Sequence, residues 1–142
     1  MTSIDTNILL YALNSDCVEH GRARDVVEGL AASQNVVICE LVLVELYLLL
    51  RNPAVLNRPF EPEDAVAVCL GWRNNPHWRL VESAPIMTEV WKHAGKASFA
   101  RRKIIDARLA LTLRHHGVTT FVTRNANHFA DFGFHRVWNP LD

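Results

Sequence analysis

The feature that most constrains the fold is the alternation of short β-rich segments with longer helical segments along the chain. Strands are predicted at residues 2–5, 35–39, 79–83 and 119–123, with a further edge strand at 136–138. Helices are predicted at 6–13, 20–32, 41–51, from within 61–64 onward, at 86–97 and at 106–116. Because parallel strands need helical crossovers, this order predicts a three-layer α/β/α sandwich around a mostly parallel sheet.

Length and composition predict one globular domain over residues 1–142. Of the 142 residues, 49% are hydrophobic and 21% are charged, and no low-complexity tract or linker divides them. The opening MTSID is too short and too acidic for a secretory signal, and the apolar stretch 41–50 is too short to cross a membrane. The three cysteines lack metal-ligand spacing. We therefore expect a cytoplasmic protein with reduced cysteines and no membrane partner.

Asp5 ends the first predicted strand and is followed at once by Thr6 and Asn7. In open α/β sheets, ligands bind at the carboxyl edge of the strands, beside the backbone N–H groups of the next helix. A carboxylate at that edge is therefore a candidate metal ligand. The alternative interpretation is that Asp5 only caps the helix that begins near Thr6.

Two further acids occupy helical segments that are otherwise apolar. Glu45 lies in VICELVLVELYLLL, where its neighbours three and four positions away are aliphatic, and Asp106 lies in KIIDARLALTLRHHG. Buried carboxylates need a cation or a proton, because losing their hydration is costly. Glu45 could instead pair with an arginine, and Asp106 could instead cap its helix. A single Mg²⁺ shared by Asp5, Glu45 and Asp106 accounts for all three acids at once.

The predicted topology brings these acids to one edge of the sheet. Asp5 follows the first strand, Asn125 follows the strand at 119–123, and Glu45 and Asp106 project from helices. Direct ligation of one Mg²⁺ would place the nearest carboxylate oxygens within about 4.2 Å of each other, and ligation through water within roughly 7 Å. A metal held in this way can activate water for attack on a phosphodiester.

The formal net charge of zero removes global attraction to nucleic acid as an argument. The basic residues are nevertheless clustered just before Asp106: they are Lys92, Lys96, Arg101, Arg102 and Lys103. This segment is predicted to border the acidic site, where it would contact phosphates. The alternative is an ordinary solvated helix end and loop.

Four motifs, in order along the chain, carry a family resemblance. They are Asp5-Thr6-Asn7, Glu45 seven residues before Asn52-Pro53, Asp106-Ala107 with the Leu/Ala run to His116-Gly117, and the closing FVTRNANHFADFGFHRVWNP. Together they span nearly the whole chain, and the ordered set is more specific than any one of its members. The sequence resembles PIN-domain ribonucleases, in particular the VapC toxins of bacterial type II toxin–antitoxin systems.

This resemblance implies a PIN-like fold and a Mg²⁺-dependent endoribonuclease, with Mn²⁺ as an alternative metal. It implies Asp5, Glu45, Asp106 and Asn125 as catalytic residues, with the first three as metal ligands. It also implies a homodimer, a VapB-type antitoxin whose tail occupies the groove at the acids, and a tRNA or rRNA substrate.

The closing motif departs from the family pattern at two positions. VapC-like proteins often have an acid where Asn125 stands and frequently an aspartate where His128 stands. Both changes reduce the negative charge available to a second metal, so we expect one firm metal site. They also leave open a catalytically impaired PIN-like module that binds RNA or a protein. A metal-dependent phosphatase of small molecules is a third hypothesis, without a dedicated substrate motif.

Overall fold

The computed structural model describes residues 1–142 and contains five strands and six α-helices. The strands are β1 (Thr2–Ile4), β2 (Val36–Cys39), β3 (Trp78–Val81), β4 (Thr120–Val122) and β5 (Arg136–Trp138). The helices are α1 (Thr6–Leu13), α2 (His20–Ala31), α3 (Glu40–Leu50), α4 (Pro62–Arg73), α5 (Met87–Ala94) and α6 (Lys103–His115). A short 3-10 helix, Ala126–Phe129, lies between β4 and β5. The predicted alternation of strands and helices is confirmed.

All five strands are parallel and lie in the order β3-β2-β1-β4-β5. The chain moves outward from β1 to β3 in one direction and then returns to β4 on the other side of β1. Right-handed crossovers therefore place α1 to α4 on one face of the sheet, and α5 and α6 on the other. The helix contacts agree, because α1 packs on α2 and α3, α3 packs on α4, and α5 packs on α6. The predicted three-layer architecture is confirmed, and its sheet is entirely parallel.

The core lies on both sides of the sheet, as expected for buried parallel strands. Strand β2 is buried at all four positions, and the helices contribute aliphatic stripes. The largest fully buried side chains are Phe121, Phe129, Ile4, Ile8, Leu9, Ile38, Leu46, Leu50 and Leu113. This packing holds the carboxyl ends of β1 and β4 rigidly side by side.

Several predicted boundaries shift in ways that matter for the site. Helix α3 begins at Glu40 and α6 begins at Lys103, three residues before Asp106. The third strand covers Trp78–Val81 instead of 79–83, and α5 ends at Ala94 instead of 97. Asp106 therefore lies within the first turn of α6 and does not cap it, so the capping alternative for Asp106 is wrong.

No helix is long and apolar enough to cross a membrane. All three cysteines are free: Cys39 is buried, and Cys17 and Cys69 are partly buried.

Candidate active site

Asp5 stands at the point where the strand order reverses. Ile4, the last residue of β1, pairs with Val122 at the end of β4, and the Asp5 backbone N–H donates to the Val122 carbonyl at 2.9 Å. Crevices at such reversals, outside the carboxyl ends of the strands, are where open α/β sheets bind ligands. The fold thus places Asp5 in the position predicted for a ligand-binding carboxylate.

Asp5 is only 7% exposed, and its carboxylate accepts three hydrogen bonds. The Thr6 backbone N–H donates to Oδ1 at 2.8 Å, while the Thr123 hydroxyl and the Asn7 amide donate to Oδ2 at 2.7 and 3.3 Å. Asp5 is therefore also the N-cap of α1, so the two interpretations of this residue hold together. These contacts orient the Asp5 carboxylate through the side chains of Thr123 and Asn7.

Burial raises the pKa of Asp5 from 3.8 to about 6. The hydrogen bonds from Thr123 and Thr6 act in the opposite direction, because they stabilise the ionised form. The negative charges of Glu45 and Asp106 raise the pKa further. Glu45 and Asp106 therefore lie near enough to Asp5 for their charges to act on it, and a cation beside Asp5 would relieve that repulsion.

Glu45 is exposed, so the prediction that it lies on a buried apolar face is wrong. The buried stripe of α3 consists of Val42, Leu43, Leu46 and Leu50, and Glu45 lies beside it. Its apolar neighbour Leu48 is 62% exposed, which is why the apolar spacing in the sequence was misleading. The alternative of a buried arginine pair is also absent, because no basic side chain bridges to Glu45.

Thr6 connects Glu45 to Asp5, a role that sequence reasoning missed. Its hydroxyl lies 3.2 Å from Glu45 Oε2 and 3.1 Å from the Val42 carbonyl, while its backbone N–H binds Asp5. Thr6 and Glu45 are 39 positions apart, so no local pattern pointed to the contact. The buried Thr6 thus holds Glu45 on α3 in position relative to Asp5 at the end of β1.

Asp106 is half-buried, with 32% of its side chain exposed. Burial raises its pKa, and the charges of His128 and Lys103 counteract that effect. The nearest basic partner is His128, whose Nδ1 lies 3.8 Å from Asp106 Oδ2. The basic groups near Asp106 therefore balance its negative charge only in part. A carboxylate in this state is suited to bind a metal ion.

Asn125 directly precedes the 3-10 helix that follows β4, and it is exposed. Its backbone N–H donates to the Thr123 hydroxyl at 3.0 Å, and its side chain does not cap the 3-10 helix. Thr123 thus links Asn125 to Asp5 at the carboxyl edge. The Asn7 side chain completes this link by accepting from the Arg124 backbone N–H at 3.2 Å.

The donor chemistry of these residues fits Mg²⁺, although they are not assembled around a point. No group of three or more His, Cys, Asp or Glu side chains is arranged to hold an ion directly. Mg²⁺ prefers oxygen ligands and usually keeps several waters, so it needs only one or two direct carboxylates. Because repulsion from Glu45 and Asp106 contributes to the raised pKa of Asp5, the acids are suited to a divalent cation.

Residues 3–135 of the sequence match the PIN-domain family. Ribonuclease VapC24 of Mycobacterium tuberculosis is 57% identical over 141 residues, covering 99% of this chain and 97% of that protein. Ribonuclease VapC48 of the same organism is 26% identical over 141 residues, covering 98% of this chain and 97% of that protein.

Solved structures share the fold. FitAcB from Neisseria gonorrhoeae has a TM-score of 0.66 at 21% identity, covering 99% of this chain and 98% of that one. M. tuberculosis VapC20, described as a sarcin-ricin-loop-cleaving toxin, has a TM-score of 0.65 at 18% identity, covering 85% and 87% of the two chains. The family and fold predictions are confirmed: this chain belongs to the PIN-domain family and, within it, to the VapC ribonucleases.

Proposed function

We propose that this chain is a metal-dependent endoribonuclease that acts as the toxin of a toxin–antitoxin pair. The observation that carries the proposal is the buried, hydrogen-bonded Asp5 at the strand-order reversal, with Glu45 and Asp106 close enough to raise its pKa. The 57% identity to a protein named Ribonuclease VapC24 over nearly the whole chain supports the same activity.

PIN-domain ribonucleases are generally metal-dependent. Asp5, Glu45 and Asp106 would hold the ion, with Mg²⁺ as the favoured metal and Mn²⁺ as the alternative. When bound, such an ion supplies an activated water and stabilises charge on the phosphate oxygens. The exposed Glu45 leaves one side of the crevice open to a substrate and to the waters that Mg²⁺ retains.

The chain's own residues prepare this site before any substrate arrives. Thr123 and the Thr6 backbone hold the two Asp5 oxygens, so the carboxylate keeps one orientation. The Thr6 hydroxyl restrains Glu45, and Asn125 offers a neutral carbonyl oxygen beside Thr123. His128 stands at Asp106 and would contact a phosphate when protonated. These side chains bind and orient the reacting groups.

An apolar groove next to the acids supports the proposed homodimer. It has a volume of about 490 Å³ and lies between α3 on one side and α5 and α6 on the other, with Glu45 and Arg108 as its polar members. Val44, Leu48 and Ile105 are each more than half exposed. A second copy of this chain would cover these residues.

A VapB-type antitoxin is proposed as the inhibitor. VapBC2 from Rickettsia felis was solved bound to a DNA fragment from its promoter, and it has a TM-score of 0.58 at 18% identity, covering 97% of each chain. An antitoxin tail that covers Asp5, Glu45 and Asp106 would block both metal and RNA. A tRNA or rRNA is proposed as the substrate.

The deciding experiment is incubation of the protein with total bacterial RNA, with and without Mg²⁺, followed by mapping of new RNA ends. We expect discrete ends that require Mg²⁺ and disappear in Asp5→Asn. Asp25→Asn is the matched control, because Asp25 is an exposed aspartate on α2. If RNA binds but is not cut with either metal, the impaired binding module replaces the nuclease. Hydrolysis of small phosphate esters that RNA does not inhibit would favour the phosphatase.

A further inference from the structure

A polar cavity, separate from the apolar groove, lies between the end of α5 and the start of α6, where Lys103 stands three residues before Asp106. Its volume is about 270 Å³, and it is lined by His93, Lys96, Ser98, Phe99, Lys103 and Asp131. Three of these six side chains are basic, and Asp131 is the only acid among them. The proposed cleavage mechanism uses none of them.

Lys103 and Asp131 form an ion pair at this cavity. Lys103 Nζ lies 2.9 Å from Asp131 Oδ2, and their side chains are 25% and 69% exposed. The ammonium group also lies 5.6 Å from the centre of the Phe132 ring, and that ring contacts the His93 ring at 5.1 Å between centroids. Lys103 therefore lies mostly buried beside the Phe132 ring, whereas Asp131 projects from an exposed loop.

The charges of the cavity act on both Asp131 and the candidate active site. The pKa of Asp131 lies below its usual value because of the hydrogen bond and charge of Lys103, with smaller effects from Lys96 and His93. Lys103 also counteracts the effect of burial on the pKa of Asp106, three positions along α6. The charge of Lys103 thus acts both on Asp131 at the cavity and on Asp106 at the candidate active site.

We propose that this cavity binds a phosphate of the RNA backbone next to the bond that is cleaved, and that Asp131 occupies it as an internal anion until RNA arrives. The inference rests on the proposed function, since it takes RNA as the ligand that crosses the acids. Asp131 is 69% exposed, so its ion pair with Lys103 contributes little to stability, and a phosphate can replace it at a small cost in free energy. A phosphate offers several charged acceptor oxygens to Lys103, Lys96 and His93 together. This local arrangement gives a chain of zero net charge a place to hold RNA.

The test measures binding of a fluorescein-labelled single-stranded oligoribonucleotide in the Asp5→Asn background with Mg²⁺, over a series of salt concentrations. We expect Lys103→Gln to weaken binding on the order of three- to tenfold at low salt and to reduce the salt slope by about 0.7, the value for one lost phosphate contact. Arg24→Gln is the matched control, because Arg24 is exposed and pairs with Glu28 at 3.0 Å but does not line the cavity. It should change binding less than about twofold.

Substitution of Asp131 is the more discriminating test, because the inference requires this variant to bind RNA more tightly. Asp131→Asn should tighten RNA binding by about two- to fivefold, since a competing anion is removed. Glu28→Gln should leave affinity unchanged. Asp131→Asn that weakens binding or leaves it unchanged overturns the inference, as does an equal loss in Lys103→Gln and Arg24→Gln. Thermal melts of each variant identify any loss that comes from unfolding.

Two further arms separate the possible failures. If the wild-type protein cuts RNA but Lys103 and Asp131 do not influence binding, this inference fails while the proposed function stands. If Lys103 governs RNA binding but no cleavage occurs with Mg²⁺ or Mn²⁺, the proposed nuclease fails and the phosphate site stands. Inorganic phosphate is titrated as a competitor, and tight Lys103-dependent binding of phosphate alone would make the cavity a free-anion site and overturn the RNA assignment.

Discussion

The Thr123 hydroxyl donates a 2.7 Å hydrogen bond to Oδ2 of Asp5, although the two residues are 118 positions apart. Both are buried, and they follow the neighbouring strands β4 and β1. The same Thr123 oxygen accepts from the Asn125 backbone N–H and the Asn7 amide. One hydroxyl thus joins three of the residues at the carboxyl edge.

Thr123→Val should therefore damage both stability and cleavage. It removes the shortest hydrogen bond to a buried carboxylate and leaves the Asn125 backbone N–H without its acceptor, which should cost about 1–3 kcal/mol of unfolding free energy. Thr123→Ser keeps the hydroxyl and should retain most of both properties. Denaturant unfolding and RNA cleavage rates, measured on the same preparations, check this. Equal behaviour of the valine and serine variants would show that the hydroxyl is dispensable.

The raised pKa of Asp5 predicts a specific dependence of stability on pH in chelator. Because the folded protein binds the Asp5 proton more tightly than the unfolded chain, this residue makes the free energy of unfolding fall as pH rises from about 4 to about 6. Above that range the charged carboxylate costs at most about 3 kcal/mol relative to acid pH. Asp5→Asn should remove this component.

The measurement is the difference in unfolding free energy between wild type and Asp5→Asn at pH 3.5 to 8. We expect the variant to gain relative stability as pH rises, since an amide accepts the Thr6 N–H without a charge. A difference that does not change with pH would mean that Asp5 has the same pKa in the folded and the unfolded state.

Asp106→Asn should abolish cleavage while leaving the metal-free fold as stable as wild type or slightly more stable. The acid is half-buried and its pKa is raised by burial, so neutralising it relieves an electrostatic cost. Mg²⁺ should raise the melting temperature of wild type but not of this variant, because ligands stabilise only the state that binds them. Melts in chelator and in Mg²⁺ decide the matter, with Asp25→Asn as control. Strong destabilisation in chelator would make Asp106 a structural residue.

Asn125→Asp should lower the Mg²⁺ concentration needed for half-maximal cleavage, and Asn125→Ala should raise it. An added carboxylate beside the metal increases its attraction, but solvent in the open crevice limits the effect to about 1–2 kcal/mol. Asn125 is exposed, so neither substitution should alter the fold. The check is a Mg²⁺ titration of cleavage rate for the three proteins. Coincident curves would place Asn125 outside the coordination sphere.

Leu48→Lys should dissociate the proposed homodimer. Leu48 is 62% exposed in the apolar groove, and a lysine there would put a charge into the contact. Val18→Lys is the matched control, because Val18 is 97% exposed and does not line that groove. Sedimentation equilibrium should give a monomer for Leu48→Lys and a dimer for wild type and the control. A dimeric Leu48→Lys would move the interface elsewhere.

The sequence by itself determined the α/β/α architecture and the position of Asp5 at the carboxyl edge of the sheet. Short β-branched runs that alternate with helical segments are typical of a parallel sheet flanked by helices, because each helix connects one parallel strand to the next. Asp5 stands directly after the first strand, so its place at the carboxyl edge follows from chain direction alone. Both features depend only on residues that are close together along the chain, so they can be predicted from the sequence.

Only the tertiary structure decided which side chains face each other. Glu45 was predicted on a buried face because aliphatic residues surround it, yet several of those residues are exposed in a groove, and apolar spacing does not distinguish a core from a contact surface. The contacts of Thr123 with Asp5 and of Lys103 with Asp131 join residues 118 and 28 positions apart. They depend on strand order and helix packing, which are set by the whole chain at once and have no local signature.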